Sequence, residues 1–162
     1  MHVNQAIVAN SDHLFHIDLG TCVCVILCGI DDRKKVWFGV NHLFKSRVEN
    51  CDMALEHIAG LINSMSEKNA GRIRCLGLFG AGYREKSLAK DLAQKNVLCI
   101  LEALSLYNLN IEIFQTGYSQ GISVIKSDPR ESFIIKHHTL GDKKSRIIEL
   151  PLIQIFGIDY DI

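Results

Sequence analysis

Two side chains able to do covalent and proton-transfer chemistry stand at the ends of consecutive apolar runs. Cys22 enters one in Asp18-Leu19-Gly20-Thr21-Cys22-Val23-Cys24-Val25-Ile26-Leu27-Cys28, and His42 closes the next in Phe38-Gly39-Val40-Asn41-His42. A thiol has a free pKa near ~8.5 and needs a neighbouring base or cation to attack as a thiolate at neutral pH. An imidazole supplies that base and later returns the proton to a leaving amine. The chemistry in prospect is therefore nucleophilic hydrolysis through a covalent thioester. The same two residues also read as a small core thiol and a strand-end imidazole bonded to backbone, and spacing alone does not choose between the two.

The elements must bring these residues together. The run after Cys22 has no polar alternation and reads as a strand buried on both faces. Asp31-Asp32-Arg33-Lys34-Lys35 is a charged turn, and residues 36–43 return as the next strand of a hairpin. Sequential strands are usually spatial neighbours, which places Cys22 and His42 within reach of each other.

Around this hairpin, residues 3–9 and 14–18 read as short strands. From Asp52 the period changes: Leu55, Ile58, Ala59, Leu61, Ile62 and Met65 fall on one helical face, with Asn50 or Asp52 as cap and Asn69-Ala70-Gly71 as terminator. Residues 73–79 form a buried strand running into Gly80-Ala81-Gly82-Tyr83, a turn where backbone approaches a ligand closely. Residues 87–95 read as weakly helical or looped. Val97, Ile100, Leu101, Leu104 and Tyr107 mark a second amphipathic helix closed by Asn108-Leu109-Asn110. Strands are expected at 111–115, 121–126, 132–137 and 147–150, with a turn at Thr116-Gly117-Tyr118 and an apolar edge strand from Pro151 onward. His137-His138 reads as a strand-edge pair rather than a metal site, because adjacent strand residues face opposite ways. Trp37 and Phe38 read as core. The expectation is one α+β domain over 1–162, a mixed β-sheet sandwich with two amphipathic helices on one face.

Composition narrows the function classes. The chain of 162 residues is 48% hydrophobic and 22% charged, with 18 basic residues balancing 18 acidic ones. No global field recruits nucleic acid or anionic lipid. No signal peptide or bilayer-length apolar stretch is read, so membrane insertion is not expected and a cytoplasmic location is the default. The six cysteines (Cys22, Cys24, Cys28, Cys51, Cys75, Cys99) lie mostly in apolar runs and lack zinc-site spacing. Neither a metal, another cofactor nor a disulfide is expected.

Leu19-Gly20-Thr21-Cys22-Val23-Cys24-Val25 resembles the L-G-[ST]-C-V-x-V signature of the CheD family, the chemoreceptor glutamine deamidases of bacterial and archaeal chemotaxis. Gly39-Val40-Asn41-His42 resembles that family's segment ending in Asn-His. Leu78-Phe79-Gly80-Ala81-Gly82 is similar to its Gly-Gly-Ala turn, and 116–124 to a worn form of its Gly-Gly-Asn-x-Gly-Arg segment. The resemblance runs from about His16 to His138, and the first two motifs are its specific part. It implies a CheD-like cysteine hydrolase fold and release of ammonia from side-chain amides of glutamines on methyl-accepting chemoreceptors. Cys22 would attack the carboxamide and His42 would act as base, then acid. Backbone N–H groups at Gly20-Thr21-Cys22 would hold the oxyanion. The implied partners are the chemoreceptors as substrate and a CheC-type phosphatase.

The departures from the family bear on the site. Six residues before the nucleophile the family has a threonine as third catalytic residue, and here the position is His16. His16 and Thr21 are both candidates to orient His42. The family's Ile-Gly-x-Arg-Asn stretch is replaced by Val97-Leu98-Cys99-Ile100-Leu101, and Ser119, Gln120 and Ile122 replace polar and basic residues of the late motif. These losses leave the Cys–His pair intact but motivate two alternatives. One is a catalytically weakened CheD-like binding module on receptors or the phosphatase, and the other is a cysteine hydrolase acting on a non-receptor protein.

Overall fold

The computed structural model describes residues 5–10, 15–19, 22–43, 51–82, 88–116, 120–128, 132–139 and 145–157. In chain order these form β1 (Gln5–Asn10), β2 (Phe15–Leu19), β3 (Val23–Ile30), β4 (Val36–Leu43), α1 (Asp52–Glu67), β5 (Gly71–Gly80), α2 (Leu88–Leu106), β6 (Ile111–Thr116), β7 (Gln120–Asp128), β8 (Ser132–Thr139), β9 (Ser145–Pro151) and α3 (Leu152–Phe156).

β3 is buried at every position because a layer lies on each of its faces. Cys24, Ile26 and Cys28 join a core shared with Leu19 of β2, Leu150 of β9, and Ile155 and Phe156 of α3. Val23, Val25 and Leu27 join a second core with Ile58, Leu61 and Met65 of α1 and Val97, Ile100 and Leu104 of α2. Each aliphatic side chain so buried contributes about 1.5–3 kcal/mol. The unalternating sequence of β3 is thus the physical requirement of a central strand.

β3 sits in the middle of a mixed five-stranded sheet of order β1-β4-β3-β5-β6, antiparallel except for the parallel pair β5–β6 joined through α2. A second, four-stranded antiparallel sheet has the order β2-β7-β8-β9. β1 and β2 are therefore not partners: the chain passes from one sheet to the other between them. The class is α+β, with α1 and α2 on one face of the five-stranded sheet and the second sheet on the other.

The β3–β4 hairpin turns on Asp31, whose carboxylate accepts hydrogen bonds from the backbone N–H of Arg33 and Lys35 (2.9 Å each) and from Trp37 Nε1 (3.1 Å). Slight burial opposes ionisation there, but these bonds outweigh it and hold the carboxyl below its ordinary value. Phe38 is core, whereas Trp37 is only half-buried, its ring under the Lys35 ammonium. Both long helices end alike. Asn69 (φ 56°) and Asn108 (φ 52°) take the left-handed conformation, and the next N–H returns to Met65 and Leu104 carbonyls respectively (3.1 Å each).

Four expectations are corrected. α1 is capped by Cys51, without a side-chain cap hydrogen bond, rather than by Asp52, and Asn50 lies outside the described residues. α2 starts at Leu88, two turns earlier than its strongest apolar signal, because Ala93 and Asn96 continue the buried stripe under polar Asp91, Gln94 and Lys95. The tail after Pro151 forms α3 instead of an edge strand, with the Arg72 guanidinium donating to the Phe156 carbonyl. β8 is flanked by β7 and β9, so His137 and His138 lie on an inner strand and not at a sheet edge. The expected loop at 45–50 lies outside the described residues.

Candidate functional site

Four strand ends converge on one end of the five-stranded sheet: the entry to β3 at Cys22, the exit of β4 at His42 and Leu43, the exit of β5 at Gly80, and the exit of β6 at Thr116. The register makes this explicit, since Val23 pairs with Leu43 on one side and Gly80 on the other, and Gly80 pairs with Thr116.

Within that end, Cys24 is directly opposite His42. Cys22 lies two residues before Cys24 and packs against the same core, so it shares the face of His42 as its diagonal neighbour. Diagonal cross-strand neighbours stand about 7–8 Å apart at Cα, a span that an imidazole bridges with little adjustment. The closer thiol is not the reachable one. Cys24 has no exposed surface, whereas Cys22 is half-buried. Burial also pushes the thiols of Cys24, Cys28 and Cys75 up, that of Cys75 to about 12. All three behave as small apolar side chains.

Burial pushes the Cys22 thiol up as well, opposed in part by a hydrogen bond from its own backbone N–H. The shift favours the neutral thiol, so attack by Cys22 would need a base in the same step. His42 is 4% exposed.

The Gly80-Ala81 turn does something the sequence reading did not assign. It approaches the backbone of Cys22 rather than a ligand. Ala81 N–H donates to the Cys22 carbonyl at 2.7 Å. Gly80 sits at φ 92°, and a Cβ there would collide with that carbonyl and stand 3.2 Å from Leu19 Cβ. Ala81 itself holds φ 52°, a conformation costing an L-residue about 1–2 kcal/mol. The turn fixes where Cys22 points, and its Ala81 N–H is already committed.

On the opposite face of β4, one residue before His42, Asn41 is fully buried. Its Nδ2 is 3.2 Å from Nδ1 of His57 on α1 and 3.5 Å from the His57 carbonyl, while its Oδ1 has no hydrogen-bond partner among the described residues. A buried polar side chain left half-satisfied costs about 1–3 kcal/mol. It ties α1 to the strand that carries His42. The sequence signal was present, as an amide inside an apolar run, but its partner on α1 was not legible.

The other expected site residues are placed less fully. His16 is located by its backbone alone, on β2 opposite Ser123. Gly20 and Thr21 lie outside the described residues, as do Tyr83 and 117–119. Thus Cys22 and His42 are brought to one face and one end, and no orienting role is placed for His16 or Thr21. Beside Ala81 a groove of about 380 Å³ opens between α2 and β6, its walls mostly apolar, with Leu98 and Phe114 64% and 52% exposed.

A further correction concerns the cysteines. Cys51 and Cys99 form a disulfide, their Cα atoms 4.9 Å apart, across a sequence separation of 48. The remaining four are free thiols. Among the described residues no helix is long and apolar enough to cross a membrane. No protein-family model matches the chain, and no curated protein matches it.

Proposed function

We propose that the chain is a protein-glutamine deamidase of the CheD type, hydrolysing side-chain amides of selected glutamines on methyl-accepting chemoreceptors to glutamate. The observation that carries this reading is the placement of Cys22 and His42 on one face at one end of the central sheet, each within a CheD-like motif. His42 takes the thiol proton as Cys22 Sγ attacks the carboxamide carbon. The tetrahedral intermediate collapses with His42 returning the proton to the departing ammonia. His42 then activates a water that cleaves the thioester, leaving a carboxylate on the substrate and a thiol on Cys22.

The neutral resting thiol fits this sequence, since substrate binding excludes water before the proton moves. The reading includes the CheD-like fold, a cytoplasmic location, and a CheC-type phosphatase as regulatory partner.

A second reading, a binding module that docks on receptors or the phosphatase without turnover, is favoured by one observation: the groove between α2 and β6 exposes Leu98 and Phe114, on the face of the sheet away from Cys22 and His42. The two separate on purified receptor signalling domains. The enzyme reading expects ammonia release that disappears in both Cys22→Ala and His42→Ala. The module expects no ammonia and a receptor complex that survives Cys22→Ala.

A further inference from the structure

We propose that the Cys51–Cys99 pair is a thiol–disulfide exchange site whose oxidation state controls the order of the Cys22–His42 site. The regulatory consequence rests on those two residues forming the site. The exchange chemistry does not.

Cys51 occupies the N-cap of α1, where side chains normally satisfy one of the orphan N–H groups. It makes no such bond. Its sulfur instead reaches Cys99 on α2. The start of α1 is thus held by a covalent tie where a hydrogen-bonding cap would ordinarily serve, and reduction leaves an uncapped helix end.

What the tie encloses matters more. Residues 51–99 contain all of α1, all of β5, the Gly80-Ala81 turn that holds the Cys22 carbonyl, and the first half of α2. One and a half turns into α1, His57 receives the Asn41 amide from β4, next to His42. Slack at the start of α1 is therefore passed to both sides of the site: through β5 to Cys22 and through Asn41 to His42.

The pair is also accessible from one side. Cys51 is half-buried and Cys99 is 5% exposed. A thiolate of a thioredoxin-class dithiol reductant attacks Cys51 Sγ, the Cys51–Cys99 bond breaks, and Cys99 leaves and takes a proton. The reductant's second thiol, losing its proton, attacks the mixed disulfide and releases Cys51, which takes a proton as well. The chain gains two electrons and two protons, and the reductant becomes a disulfide. The reverse exchange with an oxidised dithiol protein restores the tie. In a reducing compartment such disulfides are usually transient and redox-sensing.

The test compares the full chain, oxidised and reduced with dithiothreitol, by three readouts: thiol titration after denaturation, amide hydrogen exchange of residues 52–57, and the rate of Cys22 alkylation by iodoacetamide. The expected result is four titratable thiols before reduction and six after. With reduction, exchange in the first turns of α1 rises by about tenfold or more, because local opening governs it, and the Cys22 alkylation rate changes. A Cys51→Ala/Cys99→Ala variant, which like the reduced parent leaves the start of α1 uncapped, should match the reduced parent under both conditions. The parent comparison stands without the variant if the latter does not fold. Six thiols before reduction, or equal exchange and alkylation in both states, overturns the proposal. If no receptor ammonia appears in either state while exchange and alkylation still switch, the deamidase reading fails and the redox site stands. Equal ammonia release in both states removes the control and leaves the deamidase.

Discussion

Replacing Gly80 by alanine attacks the candidate site through the backbone of Cys22 without touching any reactive atom. Two costs follow from the geometry. An L-residue at φ 92° pays about 1–2 kcal/mol for the left-handed conformation. The new methyl also collides with the Cys22 carbonyl, a backbone atom that has no rotamer to adopt. The Ala81 N–H to Cys22 carbonyl bond at 2.7 Å must then lengthen or break, at about 0.5–1.5 kcal/mol. Together these give roughly 1.5–3.5 kcal/mol. For a chain of 162 residues, that is a fall in Tm of roughly 3–14 °C. Differential scanning calorimetry reads the stability, and iodoacetamide kinetics at Cys22, measured well below the transition, reads the displacement of the nucleophile. A Gly80→Ala protein melting within about 1 °C of its parent, with unchanged Cys22 kinetics, would refute the claim that this turn sets the position of Cys22.

Other expectations follow from the same geometry. Gly60 lies exposed in α1 with nothing near its would-be Cβ, so Gly60→Ala should stabilise by about 0.5–1 kcal/mol; a lower Tm contradicts that. Under native conditions iodoacetamide should modify Cys22 among the four free cysteines and spare Cys24, Cys28 and Cys75, read by peptide mass spectrometry, with comparable labelling of all four as the contrary result. Since burial raises the Cys22 thiol above its ordinary value of about 8.5, its alkylation rate should still be climbing at about pH 9, and a plateau by about pH 8 would mean a thiolate at rest. The sign for stability is fixed by the same shift. The folded state holds its thiol proton to higher pH than the unfolded chain, so this contribution is full below the unfolded value and is lost as pH rises through the folded one. Closing a loop of 48 residues by a disulfide stabilises by about 4 kcal/mol in the chain-entropy picture. Reduction of Cys51–Cys99 should therefore lower Tm by about 8–16 °C, and an unchanged Tm counts against the crosslink.

Much of this fold is legible in local pattern. The apolar run of β3 needs two cores because it lacks alternation, and it has them. The period of α1 shows which face meets the sheet, and Asn69 and Asn108 mark where the two helices stop, since a left-handed residue is required there. What is not legible depends on distance along the chain. The second sheet pairs β2 with β7 across a hundred residues, which no local period encodes. Cys51 and Cys99 sit in unrelated contexts at a sequence separation of 48, and only the packing of α1 on α2 brings them together. The polar first turns of α2 carry weak hydrophobic signal, and α3 is too short for any period. At the site, the two residues with chemistry are visible from type and position, and so is the hairpin that joins them. The diagonal rather than direct placement of Cys22 against His42 depends on strand register. The raised thiol depends on burial. The clasp from Ala81 depends on β5 running antiparallel beside β3.

The central claim is that Cys22 hydrolyses glutamine side chains with His42 as its proton carrier. The most direct measurement incubates the chain with purified chemoreceptor signalling domains, quantifies ammonia, and locates Gln-to-Glu conversion by peptide mass spectrometry, with Cys22→Ala in parallel. The account predicts ammonia matched by conversion at specific glutamines in the parent and neither in the variant. Conversion that persists in Cys22→Ala, or a folded parent that releases nothing, contradicts it.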